Sequence, residues 1–298
     1  MEIRCLKTFI QVAERGNFTK AAEALNYTQS TVSAQIKQLE TELNTQLFDR
    51  INHTAILTDA GRALLDRAHK IINLVEEVRS TSADDGISDT PVRFAMAPSV
   101  CSIMMGSTYL TFHELHPNVF VKILEADTTQ MLEMLNRNDI DIAFTVDRRI
   151  QSKEYIVVSE KKEAVHFVVS KDSELCGKKN VKLEEILRHP FVLSEKGLSY
   201  RQLLDEKLAE RGISISPIVE MGNTRLLLEL VELGGGISFL PEYVTRKSHD
   251  EGKIEYLDIK GFDVDIWRQL IYHKNKWVSP SMKRVLDYCA EVSETKFK

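Results

Sequence analysis

The hydrophobic period of this 298-residue chain changes once, near residue 80, and the change limits the fold more than any other feature. Before it, apolar residues recur every three or four positions; after it, short Val-, Ile- and Phe-rich runs alternate with helical stretches. Ile3, Leu6, Phe9, Ile10 and Ala13 give a helix over 2–15 one apolar stripe, which Gly16 and Asn17 close. Thr19 is expected to cap a second, short helix carrying Ala21, Ala22 and Leu25, whose small alanines let another helix come close. Asn26 and Tyr27 make a tight connection, and Thr28 caps a third helix in which Val32, Ile36, Leu39 and Leu43 repeat at four, three and four. Two helices joined by a short turn, the second showing short polar side chains outward, make a helix-turn-helix.

The polar stretch 51–55, flanked by Leu47, Phe48, Ile56 and Leu57, predicts a hairpin. A longer helix starts at 58–61, with Leu64, Ala68, Ile71, Val75 and Val78 as a heptad seam that Leu65 and Ile72 widen. Nothing in the neighbouring sequence offers to bury that seam, so a second copy of the chain is expected to, giving a dimer. Residues 80–91 are small, polar and acidic, the composition of a linker. Beyond them the expected strands are 92–97, 119–124, 140–146, 164–169, 191–193, 237–240 and 266–272, and the expected helices 103–115, 129–136, 200–211 and 224–233. Their alternation predicts an α/β region of parallel sheets covered by helices. The order suits two lobes crossed twice: 92–163 with 267–298, and 164–266.

Other classes are disfavoured. No apolar run approaches the roughly 20 residues of a membrane span, and the first residues lack the apolar core of a secretory signal, so a cytoplasmic protein without membrane contact is expected. Cys5, Cys101, Cys176 and Cys289 lie far apart, which speaks for reduced thiols rather than a zinc ribbon or a disulfide framework. His113 and His116 are three apart, where the familiar zinc motif needs four, and Pro117 ends their helix. Gly234, Gly235 and Gly236 lack the spacing of a phosphate loop and precede a strand. No catalytic residue, metal or cofactor is expected, and the chain reads as no enzyme. Thirty-nine basic against 44 acidic residues give a net charge of −5, so any nucleic-acid binding must come from a local surface.

The run FTKAAEALNYTQSTVSAQIKQLE over 18–40, then LFDR at 47–50 and LTDAGRALL at 57–65, closely resembles the LysR-type transcriptional regulators. Looser agreement at HPNV (116–119), DIDIAF (139–144) and ELGGGISFLPE (232–242) extends the resemblance along the whole chain. It implies a winged helix-turn-helix over 1–58, a dimerising linker helix over 59–80, a hinge over 81–91 and a two-lobed, periplasmic-binding-protein-like effector domain over 92–298. It further implies an operator of double-stranded DNA, partly palindromic, bound by an oligomer. The seam speaks for a dimer and the resemblance for a tetramer, with RNA polymerase a further candidate partner. The rival from another class is a solute-binding or enzymatic module on the same two-lobed scaffold.

Ser30, Ser33, Ala34, Lys37 and Thr41 lie on or near the outward face of the third helix, with Gln29 and Thr31 in its first turn. Short polar side chains let a helix sit deep in a major groove and bond base edges, while Lys37 suits a phosphate. By resemblance Gln29, Ser30 and Ser33 contact bases, and Arg50 and His53 sit around the wing; Thr28, Thr31 and Ala34 complete the expected surface. The family often has a long basic residue where this chain has Ala34, and Arg where it has His53. Residues 1–58 hold six basic and six acidic side chains, a locally neutral unit. For the effector, helix starts following strands point to Ser99, Val100, Cys101, Thr128, Thr129, Ser199, Asn223 and Thr224, with Ser99, Thr128, Thr129 and Thr224 also able to cap. Arg148, Arg201 and Arg225 stand close enough in sequence to suggest a small carboxylate ligand. Cys101 is a packing residue or, less in keeping with its lack of a resolving partner, a redox sensor.

Overall fold

The structure, a computed structural model, describes residues 1–51, 54–81, 91–259, 262 and 264–295. The N-terminal unit runs α1 (Ile3–Arg15), α2 (Phe18–Leu25), α3 (Gln29–Leu43), β1 (Phe48–Ile51), β2 (Thr54–Leu57) and α4 (Asp59–Thr81). Gly16 ends α1 at φ +61°. The cap of α2 is Asn17, whose side chain accepts from the Thr19 and Lys20 N–H groups, so Thr19 lies inside the helix it was expected to start. Thr28 does cap α3, accepting from the Thr31 N–H at 3.2 Å. Phe9, Val32, Ile36, Leu39 and Leu47 are fully buried together, and the Phe48 ring meets Phe9 and Phe18 at 5.3 and 5.8 Å. The Glu40 carboxylate accepts the Leu47 N–H at 2.8 Å, and the Ala55 N–H donates to the Gly16 carbonyl at 2.8 Å, tying the β1–β2 hairpin to both helices.

The linker helix is not idle in cis. Ala68 is fully buried in the N-terminal core, with Leu64, Leu65, Ile71 and Ile72 half-buried against it. The first half of the expected dimer seam thus faces α1 of its own chain, because an apolar stripe takes the nearest matching stripe. Val75 is half-buried, while Leu74 and Val78 stay 61% and 66% exposed.

The remainder runs β3 (Val92–Met96), α5 (Pro98–Met104), α6 (Ser107–Leu115), β4 (Val121–Glu125), α7 (Thr128–Asn136), β5 (Ile142–Asp147), β6 (Tyr155–Ser170), α8 (Leu183–Ile186), β7 (Val192–Leu193), α9 (Ser199–Ala209), β8 (Val219–Glu220), α10 (Thr224–Glu232), β9 (Ser238–Pro241), α11 (Glu242–Asp250), β10 (Ile254–Leu257), β11 (Asp265–His273) and α12 (Pro280–Thr295). The helix expected over 103–115 is two helices, because extended backbone at Gly106 interrupts it. The sheet is mixed rather than parallel: β3 lies parallel to β4 and β5, whereas β5–β11, β11–β6, β6–β9 and β6–β10 are antiparallel. Helical crossovers enforce parallel pairing only for β3, β4 and β5; β6 follows β5 through a short loop and needs none.

Two strands cross between the lobes. β6 pairs with β11 from Tyr155 to Ala164 and with β9 and β10 from Val165 to Ser170. At the crossing Glu163 of β6 and Arg268 of β11 form a fully buried ion pair at 2.6 Å. In the second lobe β7 and β8 pair in parallel.

Candidate functional site

Two surfaces gather the expected side chains. On α3, Val32, Ile36 and Leu39 are buried on one face; Thr28, Gln29, Ser30, Thr31, Ala34 and Lys37 are exposed on the other, and Ser33 is half-exposed. The Thr28 hydroxyl lies 2.8 Å from those of Ser30 and Thr31, so the leading edge is a cluster of three hydroxyls over the first-turn N–H groups. Such an edge both donates and accepts, and the helix N-terminus adds positive potential toward a phosphate. Arg50 sits on β1 opposite Ala55, and His53 lies outside the described residues. Tyr27, 40% exposed beside Thr28, adds an aromatic ring to this face that periodicity alone did not single out.

Between the lobes lies a cleft of about 600 Å³, which shares Pro98, Ala126, Asp127, Leu198 and Thr224 with a small inner pocket of about 20 Å³. The starts of α5, α7, α9 and α10 converge on it. Ser99, Thr128, Ser199 and Thr224 line the inner pocket, and Asn223 and Thr224 the outer cleft. Their hydroxyls do not cap. The residues at the helix starts are Ala97, Asp127, Leu198 and Asn223; Asp127 makes a capping box with Gln130, and Asn223 accepts from the Arg225 and Leu226 N–H groups. Ser99 instead bonds Tyr243 at 2.7 Å, and Thr224 faces the Tyr200 hydroxyl at 3.4 Å. Burial raises both tyrosines above their ordinary value, so these hydroxyls remain neutral donors.

Three expected ligand contacts fall elsewhere. Val100 is fully buried core, because a helix turns its third residue away from the pocket that the second faces. Thr129 is exposed and lines neither cavity. Cys101 is half-buried beside Glu125; burial and then that carboxylate push its thiol up to about 11, which keeps it protonated and a weak nucleophile at neutral pH. The arginines that suggested a carboxylate ligand are engaged outside the cleft. Arg201, 1% exposed, bonds Asp205 at 3.0 Å and the Ser194 carbonyl at 2.7 Å; Arg148 pairs with Glu206, and Arg225 with Glu229 at 3.4 Å. Glu125, Asp127, Glu195 and Lys196 are the charged residues lining the outer cleft. Pro98, Leu198 and Tyr200, which were not among the expected contacts, line the inner pocket one position from residues that were.

A family model described as LysR substrate binding domain matches residues 88–294, and one described as bacterial regulatory helix-turn-helix protein, lysR family, matches residues 3–62. The chain belongs to the LysR family. As a LysR-type transcriptional regulator it carries a DNA-binding head and a two-lobed effector-binding domain. It is 31% identical to the uncharacterized HTH-type transcriptional regulator YwqM of Bacillus subtilis over 96% of this chain and 98% of that one. It is 26% identical to the HTH-type transcriptional regulator GltR of the same organism, over 97% and 96%. A full-length OxyR variant from Pseudomonas aeruginosa superposes with a TM-score of 0.62 at 19% identity, covering 97% of this LysR-type chain and 94% of that one. Vibrio fischeri DarR, solved in complex with DNA, superposes at 0.54 with 21% identity, covering 97% and 98%.

Proposed function

We propose that this regulator reads its operator through the leading edge of α3, with Gln29, Ser30 and Ser33 toward base edges, Lys37 toward a phosphate and Thr28, Thr31 and Ala34 completing the surface. Arg50 and His53 serve the wing. The observation that carries the reading is the division of α3 into one fully buried apolar face and one exposed polar face whose first turn is a hydroxyl cluster. Two heads act together in a dimer built on the exposed far end of α4, and a partly palindromic operator follows from that symmetry. Domain limits at 58, 80 and 91 separate head, linker helix and effector domain; the hinge expected over 81–91 lies almost wholly outside the described residues. The effector is a small polar molecule held between the lobes by Ser99, Thr128, Ser199, Asn223 and Thr224. Neutral hydroxyls and amides offer it both donors and acceptors, and the charged residues at the cleft mouth give no support to a carboxylate in particular. Relatives that match over the whole length are transcriptional regulators rather than enzymes or exported solute binders, and the reading follows them.

The test is binding to a duplex that the wild-type protein selects from a random pool. Ser33→Glu places a negative charge in the groove between the phosphate backbones and is expected to weaken binding at least a hundredfold, about 3 kcal/mol. Unchanged affinity would overturn the assigned orientation of α3.

A further inference from the structure

The C-terminal end of α1 rests on the first lobe. Arg15 Nη2 donates to Asp139 Oδ1 at 2.6 Å, with both side chains half-buried. Asp139 stands in the turn between α7 and β5, 124 residues away in sequence. Beside this pair the surface of the lobe is an organised charge cluster. Asp141 takes the Arg93 N–H at 2.6 Å, Arg93 Nη2 at 2.7 Å and the Lys276 ammonium at 2.5 Å. Lys276 also donates to Asn138 Oδ1 at 2.6 Å. Glu14 of α1 is buried against this cluster, with His69 Nε2 of α4 at 3.5 Å, and the rings of His69 and His273 lie 6.4 Å apart across the contact. Between head and lobe the contact leaves a hollow of about 460 Å³ lined by side chains of both. A junction of charges around a hollow, rather than a sealed apolar seam, is the kind that holds one geometry and still opens at modest cost.

We infer that Arg15 and Glu14 of α1, set on Asp139, Asp141 and Lys276 of the first lobe, form a latch that fixes the DNA-binding head against the effector domain of the same chain. The latch leaves the polar face of α3 open, so it sets the direction in which the head points rather than blocking DNA. It also joins the two functional regions. α7 begins at Thr128 in the ligand cleft and ends one turn before Asp139, about 13 Å away for nine residues at helical rise. β3 holds Asp141 through Arg93 at one end and leads into Ala97 and Ser99 of the cleft at the other. The docking itself rests on neither DNA nor ligand; its link to the cleft rests on the function proposed above. Two stiff elements then carry any shift of the lobe to the head.

Hydrogen exchange of the full-length protein tests it. Arg15→Asp and Asp139→Arg each replace an attraction by a repulsion, and each is expected to speed exchange at residues 138–139 and 273–277 about tenfold. The amides of β5 and α3 serve as the control that the domains stay folded. The double exchange, Arg15→Asp with Asp139→Arg, is expected to restore the wild-type rates. The neutral pair Arg15→Gln and Asp139→Asn, expected to give about threefold, serves if a reversal fails to fold. Single variants with unchanged exchange, or a double variant as fast as the singles, would overturn the latch. For the link to the cleft, Asp127→Ala removes the cap of α7 and is expected to speed exchange at residues 14–16 of α1 in the wild-type background and not in the Arg15→Asp background. Equal effects in both would leave the docking standing and overturn the connection through α7; the Ser33→Glu result is independent of all these outcomes.

Discussion

A Cβ placed on Gly61 would run into the Leu47 carbonyl oxygen and sit 2.8 Å from Leu57 Cδ2. The first of these is backbone and cannot swing aside. Gly61 is thus the point where the start of α4 touches the chain entering the hairpin, and Thr58 secures the same corner by donating to the Gln46 carbonyl at 2.7 Å and accepting the Gly61 N–H at 3.0 Å. Alanine is the better helix former by about 1 kcal/mol, yet Gly61→Ala is expected to lower stability by about 2 kcal/mol, because overpacking against backbone outweighs propensity. Chemical denaturation followed through the head's helical signal measures this, and a neutral or stabilising result would show that the contact yields. The sequence offered Gly61 only as part of a helix start. Caps show the same limit: Thr19, Thr128 and Thr224 each stand one or two places after the residue that caps, Asn17, Asp127 and Asn223. Neighbouring Asn, Asp and Thr share the capping chemistry, and only the backbone angles at the entry choose among them.

Elements were legible where their period was clean. α3 buries Val32, Ile36 and Leu39 on one face and its cap agrees with the spacing, while Leu43, the last position of the repeat, stays exposed. α4 shows a clean period too, but a stripe does not say what covers it; α1 takes Ala68 and part of Leu64 and Ile71, while Leu74 and Val78 toward the far end are exposed. The dimer contact is accordingly expected in the second half of α4. Leu74→Glu combined with Val78→Glu is expected to shift the protein from dimer to monomer in sedimentation at micromolar concentration, whereas Ala68→Ser, on α4 but buried against the head, affects stability alone. A dimer that persists in the double variant would place the interface elsewhere. β6 was half seen. Its second half, 164–169, is apolar and was anticipated, but Glu160, Lys161, Lys162 and Glu163 hid the first half, because a strand whose charged residues pair across the sheet loses the apolar signature.

For the whole molecule, the docking of head on lobe is tied to proton binding at Glu14. Burial, opposed by the Lys276 and Arg15 charges, pushes its carboxyl from the ordinary 4.5 up to about 8. The groups facing it are Lys7 and Arg15 of α1, His69 of α4, Arg93 of β3, Asp139 and Asp141 before β5, His273 at the end of β11 and Lys276 just beyond it. Burial lowers the Lys276 ammonium, and at Asp141 the Arg93 hydrogen bonds and Lys276 outweigh burial and hold the carboxyl low. A carboxyl raised on docking stabilises the docked state fully below its ordinary value and loses that contribution as pH climbs toward and through about 8. Docking is therefore expected to weaken with rising pH by at most about tenfold per unit in that window. Exchange at residues 138–139 and 273–277, corrected for intrinsic rates, measures it, and Glu14→Gln is expected to flatten the profile. A wild-type profile already flat between pH 5 and 8.5 would remove Glu14 from the latch.

The sequence alone determined the order of parts, the polar face of α3, the linker helix, most strands and helices of the lobes and five of the eight residues expected beside the cleft, because each of these follows from local period and from turn and capping chemistry. It did not determine which neighbour covers α4, which strands run antiparallel, which arginines turn away from the cleft, or that α1 rests on the first lobe through Arg15 and Asp139. Those are contacts between residues far apart in the chain, and their partners are selected by three-dimensional packing and by the burial of charge, neither of which leaves a periodic mark in the sequence.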